Sequence, residues 1–435
     1  MGSRRIAMVS LHTSPLAHPG SGDAGGMNVY VDNVSRILAR RGFAVDVFTR
    51  ATEGAADLSG WSAGAASGRP GIVDVAPGYR VVHLESGSPT PLRKEDLPGH
   101  LCAYSADLVR LPLARGMDYD LVHSHYWLSG HVGWVAARHW DVPFVHSMHT
   151  LGRVKNTGLA PHDTPEPLVR LDGEDQVVRA ADRLVCNSGH EVRELLEHHS
   201  AEEGRLDVVP PGVDLSRFSP GNRTAARERL GVPADALLAL FVGRLQPLKR
   251  PDLVIEAVAR LASARPDMRP RLLAVICGGA SGAGGYSPTD LADLAVRLHV
   301  ADLVRFVSPT EHSDLADWYR SADVTLVPSH SESFGLVAVE SQACATPVIA
   351  AAVGGLPTAV ESGVGGLLVE GHGAREWADV LGCVLDQPRL RRRLARGARR
   401  NARRFTWEAT VDGLLESYDR AMWRRGSLEA VEVGA

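Results

Sequence analysis

LLALFVGRLQPLKRPD, residues 237–252, reads as a strand, a turn and the start of a helix. The apolar run stops at Gly243, and Pro251 with Asp252 opens a helical pattern, since proline's fixed φ suits a first helical turn. Arg244 and Lys249 lie five residues apart across the turn. Both can point at one diphosphate, the arginine as a planar fork and the lysine as a point charge. A diphosphate that leaves a sugar gains charge as its bond breaks, so paired cations there stabilise the transition state. The competing reading is a pair of solvated surface cations.

The same alternation runs outward in both directions. Downstream, further strands are expected at residues 271–276, 303–307, 324–327, 347–350 and 366–369; upstream, at 6–11, 44–49, 80–84, 121–125, 143–147, 183–186 and 207–209. Helical patterns fall between most of them, as at 28–41 and 129–140, which is the signature of parallel sheets covered by helices. The pattern breaks at Pro210, Pro211 and Gly212 and then restarts. The economical architecture is α/β: two Rossmann-like, doubly wound domains, 1–211 and 212–404, with a ligand cleft between facing strand ends. The tail 405–435 contains an amphipathic helix, 405–424, that packs back across a domain surface. Residues 54–77, rich in Gly, Ala and Ser, read as a surface loop.

Composition bounds the function. The 435 residues carry 47 Lys plus Arg against 51 Asp plus Glu, a net charge of −4, which argues against a generic nucleic-acid binder. No apolar stretch approaches the ~20 residues of a membrane span, and the N-terminal run fits a buried strand better than a signal peptide. Five cysteines without C-x-x-C spacing suggest buried thiols in a cytoplasmic protein. Among the basic residues only Lys94, Lys155 and Lys249 are lysine, so each marks a place where a compact ammonium is kept in an arginine-rich chain.

Other motifs carry chemistry. HTSPLAHPGSGDAGGMN, 12–28, brings Gly20, Gly22, Gly25 and Gly26 to a helix start near Met27, where a backbone can approach a ligand and amides favour an anion or a sugar. It is not G-x-G-x-x-G, and no ribose-binding acid ends the second strand, so a standard dinucleotide fold is disfavoured. CGGASGAGG, 277–285, lacks the Gly-Lys-Ser/Thr ending of a phosphate loop and reads as a flexible loop. In SHSESFGLVAVESQACATPVIA, Glu332 lies on a loop and Glu340, eight residues on, within a helix that Gly335 opens. The two can touch different ends of an elongated ligand, or act as glycosidase acid and nucleophile. Of 18 histidines, His123 and His125 share a strand face without a metal-ligand pattern, and His149, just past a strand, is best placed to reach a cleft.

At these residues the sequence resembles the retaining glycosyltransferases of the GT-B fold, family 4: the Gly-rich N-terminal loop, GRLQPLK, and the Glu332 to Glu340 spacing match as a set across both domains. SLHTSPL, GDAGGMNVYV, DLVHSHYWLSG, HSMHTLGRVKN and ESFGLVAVESQA extend the likeness over nearly the whole chain. The resemblance implies transfer of N-acetylglucosamine from UDP-N-acetylglucosamine to 1D-myo-inositol 3-phosphate, with retention and release of UDP, opening mycothiol biosynthesis. It assigns His12, Asp23, Ala24, Gly25, Gly26, Met27, Asn28, Lys94, Tyr126, Thr150 and Arg170 to the acceptor, with Lys94, Tyr126, Thr150 and Arg170 around its phosphate. It assigns His18, Pro19, Gly26, Arg244, Lys249, Thr310, Glu332 and Glu340 to the donor, with Glu340 on the ribose and Glu332 near the transferred sugar. His149, Arg244, Lys249 and Glu332 are the implied catalytic set. A Mg2+ ion is implied away from the chemistry, at Tyr319, Arg320, Ala322 and Thr346, mostly through backbone oxygens. So is a homodimer, with neither nucleic acid nor membrane insertion. Two departures stand out: Thr310 replaces a more usual arginine at a donor contact, and Gly152 a small side chain, which should matter little.

Two rivals remain at this stage. The arginine-rich run 389–404 fits a family-4 enzyme acting on phosphatidylinositol at a membrane, although its opposite face lacks the aromatic and leucine-rich surface of an interfacial helix. A noncatalytic nucleotide-sugar or RNA-binding module is the alternative from another class.

Overall fold

The computed structural model describes residues 4–17, 23–51, 71–84, 86, 92–113, 116–159, 164–280, 285–309 and 312–433. Short apolar segments form two sheets. The first contains β1 (Arg5–Val9), β2 (Ala44–Arg50), β3 (Ile72–Ala76), β4 (Tyr79–Leu84), β5 (Leu121–His125), β6 (Phe144–Ser147), β7 (Arg183–Cys186) and β8 (Leu206–Val208). Their spatial order is β3-β4-β2-β1-β5-β6-β7-β8, parallel except at the β3–β4 hairpin. The second contains β9 (Leu237–Val242), β10 (Leu272–Cys277), β11 (Val304–Val307), β12 (Val324–Val327), β13 (Val348–Ala351) and β14 (Gly366–Val369), all parallel in the order β11-β10-β9-β12-β13-β14. Helices cover both faces, so inner strands such as β5, β6 and β12 are buried at every residue.

β3 overturns part of the loop reading of residues 54–77. IVDVA is a short edge strand, mostly half-buried, and folds back on β4 through Pro77 and Gly78, the latter at φ +80. Its pattern is too brief to stand out from the Gly-rich stretch before it; residues 52–70 lie outside those described. The buried-thiol expectation is also corrected: Cys186, Cys277 and Cys344 are buried, whereas Cys102 and Cys383 are exposed on helices.

The C-terminal helix Trp407–Val433 explains how the chain ends on the first sheet. Trp407, Val411, Leu414, Tyr418 and Ala421 recur at helical spacing and join the core between β1, β2 and the helix Gly26–Arg40. The two connections between the domains run side by side: the Val213 amide donates to the Phe405 carbonyl at 3.0 Å, and Thr410 Oγ1 donates to the Pro210 carbonyl at 2.8 Å. A Cβ on Gly212 would lie 2.2 Å from the Trp407 amide nitrogen, so only glycine permits this crossing. In the helix Pro388–Ala402, Leu394, Ala398 and Ala402 face the core, while Arg392, Arg393, Arg396 and Arg400 face solvent. Among the described residues, no helix is long and apolar enough to cross a membrane.

Candidate active site

Both sheets reverse their winding direction at an inner strand, β1 in the first and β9 in the second, and in open α/β sheets ligands bind outside the strand ends at such points. A cleft of about 350 Å3 lies there, lined from the first domain by His12, Tyr126, His149 and Thr150 and from the second by Gly243, Arg244, Cys277 and Glu332. The domains nearly touch at its middle. A Cβ on Gly25 would lie 3.8 Å from Arg244 Nε, and one on Gly26 would lie 3.2 Å from Leu336.

On the second-domain wall, Lys249 Nζ donates to Glu332 Oε2 at 2.6 Å, and Ser329 Oγ donates to the same oxygen at 3.3 Å. Arg244 makes no ion pair with a described residue, and burial lowers its pKa despite Asp23 and Glu332 nearby. Half-buried and without a direct ion pair to a described residue, this guanidinium can still take a counter-charge from a ligand. Glu340 is buried on the helix Leu336–Ala343 and lines the same wall. Burial raises its pKa to about 7, against the Tyr319 hydroxyl that donates to its Oε2 at 2.9 Å. With Lys249 paired to one carboxylate and Tyr319 bonded to the other, the two glutamates sit in unlike environments on one wall of the cleft.

On the first-domain wall the cations are already partnered. Arg170 Nε donates to the fully buried Glu174 at 2.7 Å, Nη1 pairs with Glu166 at 2.8 Å, and Nη2 donates to Thr150 Oγ1 at 2.9 Å. Its guanidinium also lies 5.1 Å from the centroid of the Tyr126 ring. Lys94 stands 3.9 Å from both Asp23 and Glu95. The His12 ring packs 4.6 Å from Tyr126, and burial, with Lys94 adding to it, lowers its pKa to about 3.

Two residues at the C-terminal ends of this sheet adopt left-handed conformations that L side chains rarely take: Tyr126 after β5 at φ 72 and His149 after β6 at φ 60. Both side chains reach the cleft. Behind them His125 Nδ1 and His149 Nε2 share a hydrogen bond of 2.9 Å, with the Tyr30 ring edge-on to His149 at 5.2 Å. Burial lowers the pKa of His149 to about 3, so the imidazole is neutral at physiological pH. His123 lies deeper, between the Tyr418 hydroxyl at 2.7 Å and Ser147 Oγ at 3.0 Å.

The structure thus brings His12, Asp23, Gly25, Gly26, Met27, Lys94, Tyr126, His149, Thr150, Arg170, Arg244, Lys249, Glu332 and Glu340 to one cleft. Ala24 and Asn28 are buried and absent from its lining; Asn28 braces the loop, accepting from the Gly25 amide at 2.9 Å and donating to Thr13 Oγ1 at 2.7 Å. His18, Pro19, Gly20, Gly22 and Thr310 lie outside the described residues. Tyr319, Arg320, Ala322 and Thr346 lie off the cleft at the end of the helix His312–Ser321, where Thr346 Oγ1 donates to the Tyr319 carbonyl at 2.6 Å and Arg320 Nε donates to Ser219. No group of three or more His, Cys, Asp or Glu suited to a metal occurs among the described residues.

Sequence reasoning missed Tyr30, Asn187, Gly243 and Gly278 as lining residues. Gly278 had a signal, the 277–285 glycine cluster, but its role is contact: a Cβ there would fall 1.8 Å from the Gly243 carbonyl oxygen, where β9 and β10 end. The flexible-loop reading is therefore wrong for Gly278; residues 281–284 lie outside those described. Gly152 also matters more than expected, since a Cβ would lie 2.8 Å from Leu171 and 3.1 Å from Arg170 Nε.

Two α/β domains of this topology, with a cleft at facing strand ends, define a GT-B glycosyltransferase. Residues 24–217 match the Glycosyltransferase Family 4 family and residues 222–401 the Glycosyl transferases group 1 family. The sucrose-phosphate synthase of Thermosynechococcus elongatus superposes with a TM-score of 0.84 at 31% identity, over 96% of this chain and 98% of that one. Anabaena HepE in complex with UDP-glucose shares the fold, with a TM-score of 0.73 at 19% identity over 95% of this chain and 99% of that one. The chain belongs to the D-inositol 3-phosphate glycosyltransferase family. It is 53% identical over 419 residues to that enzyme of Geodermatophilus obscurus, covering 96% of this chain and 90% of the relative. To D-inositol 3-phosphate glycosyltransferase 2 of Catenulispora acidiphila it is 51% identical over 420 residues, covering 96% and 95%.

Proposed function

We propose that this glycosyltransferase moves N-acetylglucosamine from UDP-N-acetylglucosamine to 1D-myo-inositol 3-phosphate with retention, releasing UDP, as the first step of mycothiol biosynthesis. The observation that carries the reading is one cleft with Arg244 and Lys249 on one wall and Lys94, Tyr126, Thr150 and Arg170 on the other. An anion-binding set on each side suits a donor diphosphate and an acceptor phosphate that meet in the middle.

In this reading Arg244 and Lys249 hold the diphosphate, and Glu332 keeps Lys249 aimed until the donor arrives. Glu340 takes the ribose hydroxyls. The acceptor hydroxyl attacks the anomeric carbon on the face from which the diphosphate leaves; a C–O bond forms, the sugar–phosphate C–O bond breaks, and the hydroxyl proton passes to the leaving phosphate oxygen. No enzyme nucleophile is needed, so catalysis is positioning plus stabilisation of the departing charge. His149, neutral and fixed by His125, lies beside the transferred sugar.

Residues 1–211 are proposed as the acceptor domain, 212–404 as the donor domain and 405–435 as the segment returning to the first. A homodimer and a cytoplasmic setting are proposed from the family resemblance and cysteine usage. A Mg2+ ion at 319, 320, 322 and 346 is proposed as well: helix-end carbonyls are oxygen donors of the kind Mg2+ takes, and Thr346 Oγ1 would have to turn from the Tyr319 carbonyl to join them. That ion would stand away from the cleft, and the chemistry above uses only the chain's own residues. The deciding experiment measures UDP release from UDP-N-acetylglucosamine with and without inositol 3-phosphate, and the anomeric configuration of the product by NMR. Acceptor-independent hydrolysis, or a β product, would overturn the reading.

A further inference from the structure

Lys155 is the one lysine that the proposed reaction leaves without a role. It lies on the short helix Gly152–Thr157, and its side chain is only 20% exposed. Even so it lines the same cleft as Lys94, Tyr126, Thr150 and Arg170. Burial works against its charge; Glu166 works for it.

Glu166 makes this an arrangement of parts and not a stray cation. One of its oxygens, Oε1, accepts from both the Lys155 ammonium and Arg170 Nη1. Burial pushes its carboxyl up, but Arg170 and Lys155 more than offset that and hold its pKa at about 2. One carboxylate oxygen thus ties two cations together at the acceptor end of the cleft. The remaining edges of Arg170 are fixed by Glu174 and Thr150, so the guanidinium cannot turn away. An ammonium has three protons, and among the described residues Glu166 is the only carboxylate that Lys155 meets, which leaves donors for a group in the cleft.

We propose that Lys155 is a further ligand of the acceptor's phosphate group, positioned by Glu166 beside Arg170. The proposal rests on the reading of this end of the cleft as the phosphate pocket. A compact, rotatable ammonium serves where Arg170 is locked in one plane: it can follow a phosphate oxygen that the guanidinium does not reach. The same chemistry would bind free inorganic phosphate, which makes that ion a probe of the pocket independent of turnover.

The test measures inhibition by inorganic phosphate, competitive with the acceptor, in the full-length enzyme. Lys155→Met should raise the inhibition constant about tenfold while leaving the KM for UDP-N-acetylglucosamine within about twofold. Removing one partner of a half-buried pair leaves the other uncompensated, so Lys155→Met is paired with the double variant Lys155→Gln, Glu166→Gln, which removes both charges together. That variant should show the same weakened inhibition, and Lys155→Arg should recover part of it. Lys94→Met is the control for the pocket itself. If Lys94→Met weakens phosphate inhibition while the Lys155→Met and double variants keep the wild-type value, Lys155 is not a ligand and the pocket reading stands. Should none of the variants change it, the phosphate reading of the pocket fails, and the role of Lys155 with it.

Discussion

The two walls of the cleft handle charge in opposite ways. On the donor side Arg244 is half-buried and makes no direct ion pair with a described residue, although the charges of Asp23 and Glu332 act on it, and Lys249 holds one carboxylate, Glu332. On the acceptor side Arg170 is tied to Glu166, Glu174 and Thr150, and Lys155 to Glu166. A buried charge without a partner costs stability and becomes useful only when a ligand supplies the counter-charge. A partnered charge costs less and keeps its geometry, but offers the ligand a weaker field. The contrast suits the chemistry proposed for each side: the leaving diphosphate gains charge during reaction, whereas the acceptor phosphate needs only to be held.

The sharpest way to break this comparison is Arg244→Ala. Transfer should fall about a thousandfold, as when a main electrostatic contact to the transition state is removed. Its thermal midpoint should stay nearly level, because the half-buried cation that is gone makes no direct ion pair with a described residue. UDP-release kinetics and calorimetry would check both, and turnover within tenfold of wild type would end the assignment. Next in size, Arg170→Met should lower acceptor-dependent transfer about a hundredfold and also cost about 3 kcal/mol of stability, since the buried Glu174 would keep the Gly152 amide and a His199 ring 3.7 Å away but lose its guanidinium partner. Adding Glu174→Gln should restore much of the melting midpoint without restoring transfer.

A smaller effect concerns Glu340. Its folded-state pKa, about 7, lies above that of an ordinary carboxyl because burial disfavours the charge. The protein therefore loses stability as pH rises from the ordinary carboxyl range through about 7, and the loss is complete above it. Glu340→Gln should melt higher than wild type at pH 8 and equally at pH 4. If the carboxylate accepts the ribose hydroxyls, wild-type donor affinity should weaken as pH falls below about 7, and the variant should lose that dependence; titration calorimetry with UDP would show it. Smallest of all, Tyr418→Phe removes the 2.7 Å hydrogen bond to His123 below the cleft, and should cost about 1 kcal/mol in urea unfolding with kcat unchanged.

Much of the site was legible along the chain because its residues sit where strands end. Arg244 follows β9 and His149 follows β6, so a strand pattern that ends in polar residues locates both, whereas Tyr126 after β5 and Thr150 after β6 came only with the family resemblance. β3 was not legible, since five mostly half-buried residues beside a Gly-rich stretch give no lasting alternation. Nor was Gly278, whose need for glycine comes from the Gly243 carbonyl on a neighbouring strand and from nothing local. Asn28, which the resemblance assigns to the acceptor, turns its side chain inward to Thr13 and the Gly25 amide, a placement that no local pattern reveals.

By itself the sequence determined the alternation of strands and helices, the break near residue 211, and which cations and carboxylates were available to a ligand. Those are consequences of spacing and of local backbone preference. Only the tertiary structure decided which charges are paired. Lys155 and Glu166, Lys249 and Glu332, and Tyr319 and Glu340 are separated by 11, 83 and 21 residues, and their partnership depends on how strand ends and helices pack. The energy of a buried charge is set by what lies within a few ångströms of it, and that neighbourhood exists only after folding.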